Sequence, residues 1–147
     1  MGNAIKCASC GYIYFHNTAA AAAGIIEVKN KVLLIKRAEE PKIGYFDLPG
    51  GFVDYEESLE DAVRREIKEE CNLDIVDLRY FSSFANVYRY GKVKYFTADA
   101  FFICRPAGLK KMKLTTEVSE FIFADISTFD LNTLAFDSVC AALKAYK

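Results

Sequence analysis

The chain has 147 residues and a mass of 16.5 kDa, with 52% hydrophobic and 27% charged residues. That size and balance suit one folded domain with a sizeable core and exclude a wholly disordered chain. Nineteen basic residues against twenty acidic ones give a net charge of −1, which argues against a binder of long nucleic acid.

Residues 1–18 carry Cys7-x-x-Cys10 and the lone histidine, His16. A structural zinc site needs about four ligands, and this stretch supplies three at best. It reads as a short segment with two free thiols. The alternative is a zinc site shared between the Cys pairs of a homodimer. The main domain is expected over 19–147. Its most apolar early run, 19–26, lacks the cationic lead-in of a secretion signal. No apolar run approaches the ~18–20 residues that span a bilayer. The expectation is a soluble, cytoplasmic chain with no membrane partner.

Residues 18–28 are small and β-branched and end at a Lys29-Asn30 turn. Val32, Leu33, Leu34 and Ile35 make 32–37 a strand apolar on both faces, which places it centrally in a sheet covered above and below. A polar loop follows over 38–45. Leu48-Pro49-Gly50-Gly51 then breaks regular structure within 46–53. Residues 58–71 read as a helix. Strands are expected at 73–84, 87–90 and 93–105, with Gly91-Lys92 as a hairpin turn, and again at 121–126. A last helix is expected over 136–146, with Val139, Cys140, Leu143 and Tyr146 on one face. Strands with one early and one late helix predict an α/β fold, a mixed sheet with helices on both faces. Five cysteines at irregular spacing are a poor disulfide framework. Cys104 and Cys140 are read as buried, reduced core residues.

The helix at 58–71 carries a dense acidic run. With Glu57 set at zero and ~100° per residue, Leu59, Val63 and Ile67 fall near 200°, 240° and 280°, the core stripe. Glu60, Asp61, Arg64 and Lys68 gather on the opposite, solvated face. Glu70 falls near 220°, inside the apolar stripe, and Glu66 near 180°, on its border. Carboxylates there are costly unless compensated. Glu66, Glu69 and Glu70, at i, i+3 and i+4, also repel one another. Arg65 neutralises part of this charge, and a divalent cation would neutralise the rest. Hard oxygen ligands select Mg²⁺ or Mn²⁺.

Gly51, then Glu57 after five residues, then Arg65-Glu66-Ile67-Lys68-Glu69-Glu70-Cys71-Asn72-Leu73 after seven more, resembles the box of the Nudix hydrolase family. Eight of its nine specified positions agree at the required spacing, which makes the signal specific. Leu48-Pro49-Gly50-Gly51, the pair Lys36-Arg37 with Gly44-Tyr45-Phe46, and Glu117-Val118-Ser119-Glu120 resemble the family's flanking segments. The likeness runs over roughly 20–145. The one departure is Asn72 where the family has glycine. Asn is the best non-glycine residue for a left-handed helix end, so replacing it with Gly is expected to be neutral or mildly stabilising.

The resemblance implies a Nudix fold, an α/β/α sandwich around a mixed sheet. It implies metal-dependent hydrolysis of a nucleoside diphosphate linked to another moiety, such as a dinucleotide, ADP-ribose or a nucleotide sugar. The alternatives are a nucleoside triphosphate pyrophosphohydrolase or a non-catalytic nucleotide sensor. By the family pattern, Glu66, Glu70 and the Gly51 carbonyl would hold the metal, with Glu69 as further ligand or as the base. Arg65 would orient the carboxylates, and Glu57 would support Arg65. Glu117 is the rival base.

For the substrate, the Cys7/Cys10 segment with Tyr14 is similar to the truncated zinc ribbon of NADH-pyrophosphatase-like members. Ser82-Ser83-Phe84 stands where those members have a longer Gln-, Pro- and Trp-bearing segment, so NADH specificity is in doubt. Phe84 and Tyr88 are candidates to stack a base, as are Tyr90, Tyr95 and Phe96. Sheet-face packing is the competing reading for each. Arg37, with Lys36 and Lys94, is a candidate for the phosphates.

Overall fold

The structure, a computed structural model, is described for residues 3–147. Ahead of the main sheet, β1 (Ala4–Lys6) and β2 (Ile13–Phe15) pair antiparallel as a two-stranded sheet of their own, with Cys7 and Cys10 in the connection. Both thiols are free.

Lys29 and Asn30 take left-handed backbone, φ 48° and 62°, and reverse the chain between β3 (Ala19–Val28) and β4 (Lys31–Arg37). Next come the short β5 (Phe46–Asp47) and β6 (Gly50–Phe52) and the helix α1 (Leu59–Cys71). The hairpin β7 (Ile75–Tyr90) and β8 (Val93–Pro106) follows, then β9 (Val118–Ala124) and the helix α2 (Asp137–Tyr146). The expected break near residue 85 is absent. Phe84, Ala85 and Asn86 pair without interruption with Asp99, Ala98 and Thr97, so one long strand spans it.

The seven strands form a single mixed sheet in the order β5-β4-β3-β8-β7, with β6 also on β3 and β9 on β4. β3 and β8 run parallel, Ala19 to Ile26 against Thr97 to Cys104. β9 begins three residues before its expected start because Val118 pairs with Arg37 beyond a register shift. Two-sided burial of β4 is as its sequence implies. Leu33 and Ile35 enter the core under α1, and Val32 and Leu34 the core under α2. These layers make the α/β/α sandwich with helices on both faces.

Two details set how the helices sit. Gly24 on β3 lets α1 come close, since a Cβ there would stand 2.6 Å from Ile67 Cδ1. On α2, Val139, Ala142 and Leu143 turn to the sheet. Cys140 lies at the margin of that face and is only partly buried, which corrects its reading as a core residue. Cys104 is buried, and burial pushes its thiol up to about 12. Among the described residues, no helix is long and apolar enough to cross a membrane.

Candidate active site

Ser58 starts α1 as its N-cap, its hydroxyl accepting from the Asp61 amide at 3.1 Å. Asn72 ends the helix in the left-handed region, φ 52° and ψ 37°. These two caps set where α1 begins and ends, and its apolar stripe, packed on the core, sets its rotation. Glu60, Asp61, Arg64 and Lys68 face solvent, Glu66 is half-buried and Glu70 is buried. The helical wheel therefore holds residue by residue. Asn72 does more than cap: its Nδ2 donates to the Lys111 carbonyl at 2.8 Å and holds the loop before β9.

Glu66 and Glu70 open into a cavity of about 300 Å³, together with Gly50, Gly51, Arg37 and Glu117. The Gly50 amide donates to Glu70 Oε2 at 2.9 Å. Burial raises the Glu70 carboxyl well above the ordinary carboxylate range, and Asp47, Glu66 and Glu117 push the same way. Burial also raises Glu66, against the opposing pull of Arg65. Glycine at 51 leaves room for the Glu66 carboxylate: a Cβ would stand 2.6 Å from its carboxyl carbon and push it aside. The backbone at Gly51 thus forms a cradle filled by the Glu66 carboxylate.

Arg65 organises the rim. It pairs with Glu57 at 2.9 Å, Glu66 at 2.8 Å and Glu69 at 3.2 Å, and donates to the Phe52 carbonyl at 3.1 Å. The hydrogen bond from Arg65 holds Glu57 below its ordinary range. Glu69 stays outside the cavity, with 60% of its side chain exposed. No three His, Cys, Asp or Glu side chains among the described residues converge as a ready-made metal site. Glu66, Glu70 and Gly51 still offer a hard-oxygen donor set around one space, and that chemistry fits Mg²⁺ or Mn²⁺.

The sequence-predicted substrate residues divide. Arg37 lines the cavity, held by the Pro41 carbonyl at 2.7 Å and Asp47 at 3.1 Å, with its guanidinium over the Phe136 ring. Tyr88 also lines it, packed against Phe136 and Phe52. Phe84 does not; it packs on Phe101 in the core under α2. Lys36 is paired with Glu120 at 3.1 Å, and Lys94 lies over Phe96, so neither joins the cavity.

The family described as NUDIX domain matches residues 16–139. The chain belongs to the Nudix family. It is 57% identical over 61 residues to an ADP-ribose pyrophosphatase of Methanocaldococcus jannaschii, a match taking in 42% of this chain and 36% of that protein. It is 33% identical over 82 residues to a mitochondrial NAD(P)H pyrophosphatase of Homo sapiens, taking in 56% of this chain and 23% of that one. The matches thus span about a quarter to a third of the length of these curated relatives. Among solved structures, a NUDIX hydrolase from Nitrosomonas europaea superposes with TM-score 0.74 at 28% identity, over 96% of this chain and 76% of that one. A MutT NUDIX hydrolase from Burkholderia pseudomallei superposes with TM-score 0.77 at 20% identity, over 90% of this chain and all of that one. Nudix hydrolases generally need a divalent metal.

Two buried carboxylates in the cavity of this Nudix chain were not legible from its sequence. Asp47, 6% exposed, pairs with Arg37 and accepts from the Leu48 amide at 2.9 Å. Burial raises its carboxyl to about 6 despite Arg37. Asp99, 9% exposed, accepts from the Ser138 hydroxyl at 2.6 Å. Alternation along β8 offered the only signal: an acid at 99 shares a face with core Phe101.

Proposed function

We propose that this chain is a divalent-metal-dependent hydrolase that cleaves the pyrophosphate bond of a nucleoside diphosphate linked to another moiety. ADP-ribose is the first substrate to try. One observation carries the reading: Glu66 and Glu70 meet Gly51, Arg37 and Glu117 in one cavity whose far end has aromatic walls. The names of the pyrophosphatase relatives point to the same substrate class.

Glu66, Glu70 and the Gly51 carbonyl would hold Mg²⁺ or Mn²⁺. When bound, the ion neutralises diphosphate charge that no protein cation here can match. Arg37 binds and orients a phosphate. Glu117 lines the cavity and Glu69 does not, which favours Glu117 as the base. Its carboxylate takes a proton from the attacking water. The water oxygen bonds to one phosphorus, the bond from that phosphorus to the bridging oxygen breaks, and the bridging oxygen leaves on the other phosphate. Arg65 and Glu57 keep Glu66 in place throughout. The unpaired cysteines suit a reducing compartment, the cytoplasm.

The test is product analysis with Mg²⁺ or Mn²⁺ across ADP-ribose, NADH, nucleotide sugars, diadenosine polyphosphates and nucleoside triphosphates. The expected result is AMP and ribose 5-phosphate from ADP-ribose. Cleavage of triphosphates alone would replace the reading with the pyrophosphohydrolase one. Binding without turnover of any substrate would replace it with a sensor.

A further inference from the structure

The floor of the cavity holds polar groups that phosphate hydrolysis leaves unused. Thr97 and Asp99 lie two residues apart on β8, so their side chains leave the same sheet face. Asn86 pairs with Thr97 from β7 and shares that face. All three line the cavity. Thr97 is 3% exposed and Asp99 9%.

The Ser138 hydroxyl, in the first turn of α2, fixes Asp99 Oδ2 at 2.6 Å. Asp99 Oδ1 and Thr97 Oγ1 have no hydrogen-bond partner among the described residues. A buried carboxylate oxygen without a donor is destabilising, and a ligand that brings a donor removes that penalty.

The walls above this floor are flat and aromatic. Tyr88 lies 5.5 Å from Phe136 at 34° between planes, and Phe52 stands edge-on to Tyr88 at 5.2 Å. Aromatic walls suit a planar ring system better than a sugar, whose hydroxyls need partners on several sides. The placement also fits. Ala21 pairs with Phe52 on one side and Asp99 on the other. The floor is therefore two strand spacings, ~10 Å, from the strand that carries Gly51, a separation that a nucleoside bridges.

We propose that Asp99 reads the nucleobase: its Oδ1 accepts a hydrogen bond from an exocyclic amine on the base, and Thr97 and Asn86 complete the polar floor. This rests on the cavity being a nucleotide site, as the hydrolytic reading has it. Adenine and cytosine present such an amine at C6 and C4, whereas guanine carries its amine at C2 and an oxygen at C6. Hypoxanthine and uracil present an oxygen at that place, a second acceptor facing the carboxylate, which the site rejects.

The experiment has two readouts on the full chain. Calorimetry measures binding of AMP, CMP, IMP and UMP, and kinetics with Mg²⁺ compares ADP-ribose with its hypoxanthine counterpart. AMP is expected to bind about tenfold or more tightly than IMP, and CMP against UMP shows whether pyrimidines are read too. Asp99→Asn keeps a partner for Ser138 and offers either a donor or an acceptor. It is expected to bring the AMP/IMP ratio to within about threefold. A melting curve checks that it folds, and Thr97→Val, which only weakens the floor, is the second variant.

Equal binding of AMP and IMP by the unaltered chain overturns the assignment, as does a ratio unchanged in Asp99→Asn or no binding of any of the four. An Asp99-dependent preference for AMP without ADP-ribose cleavage upholds the assignment and removes ADP-ribose as the substrate. Cleavage at equal rates for both bases does the reverse.

Discussion

Arg65 holds Glu57 through two parallel hydrogen bonds, Nε to Oε1 and Nη2 to Oε2, both at 2.9 Å. This two-point grip leaves Nη1 for Glu66 at 2.8 Å. Lysine has the charge but not the planar fork. Arg65→Lys is therefore expected to stay folded while kcat on ADP-ribose falls by about tenfold or more, with KM changing less. Steady-state kinetics and a melting curve check it. Unchanged kcat would remove Arg65 from the positioning of Glu66.

Glu70→Gln keeps the shape of the side chain and an acceptor for the Gly50 amide, and removes only the buried charge. Turnover is expected to fall by about 10²–10³. Without metal, the melting temperature should hold or rise, because a desolvated carboxylate is gone. Mg²⁺ should raise the melting temperature of the unaltered chain and not that of the variant. Full turnover, or an equal response to Mg²⁺, would end the metal-ligand role.

At Asn72 the structure changes the expectation from sequence. Glycine relieves the left-handed backbone but loses the bond to the Lys111 carbonyl. The two effects oppose, at a few tenths against about 1 kcal/mol. Asn72→Gly is thus expected to be slightly less stable than the unaltered chain, not more, with faster proteolysis in the loop at 107–117. Asn72→Val adds the left-handed strain and should lose a further ~1 kcal/mol or more. Urea titrations of the three proteins decide the order.

Asp47 makes stability depend on pH. Its folded value of about 6 lies above the ordinary 3.8. Below pH ~4 the carboxyl is protonated in both states and costs nothing. Between about pH 4 and pH 6 the unfolded chain ionises while the folded state keeps its proton, so stability is lost over that window, and above it the folded state carries the buried charge. The loss is on the order of 2–3 kcal/mol. Asp47→Asn should remove this slope, so the variant gains on the unaltered chain between pH 4 and pH 7 in metal-free urea titrations. A constant difference across that range would contradict the assignment.

Long periodic elements were legible in the sequence. The α1 wheel placed Glu66 on the border and Glu70 inside because the apolar stripe of Leu59, Val63 and Ile67 sets the rotation, and local spacing is enough to see it. β4 declared itself by four consecutive buried residues. The two- and three-residue strands β1, β2, β5 and β6 were not legible, since so few residues show no period. Asp47 and Asp99 were missed for a different reason. Each looks like an ordinary polar residue until β5, which carries Asp47, and β8, which carries Asp99, come together around the cavity, and only that packing buries it. Asn72 was legible as a cap, but its bond to Lys111 crosses to a distant loop that no local pattern reveals.

The parallel pairing of β3 with β8 has a consequence for the order of folding. β3 is made early, yet the strand that flanks it along eight residues is made only after α1 and β7. Until then Ile25 and Ile26 lack that neighbour, and α1 has an incomplete floor. Such distant pairing closes a long loop late and slows folding. A nascent chain stopped before residue 93 exposes an apolar strand edge of small and β-branched residues. That interval is when this protein is most open to chaperone capture or aggregation.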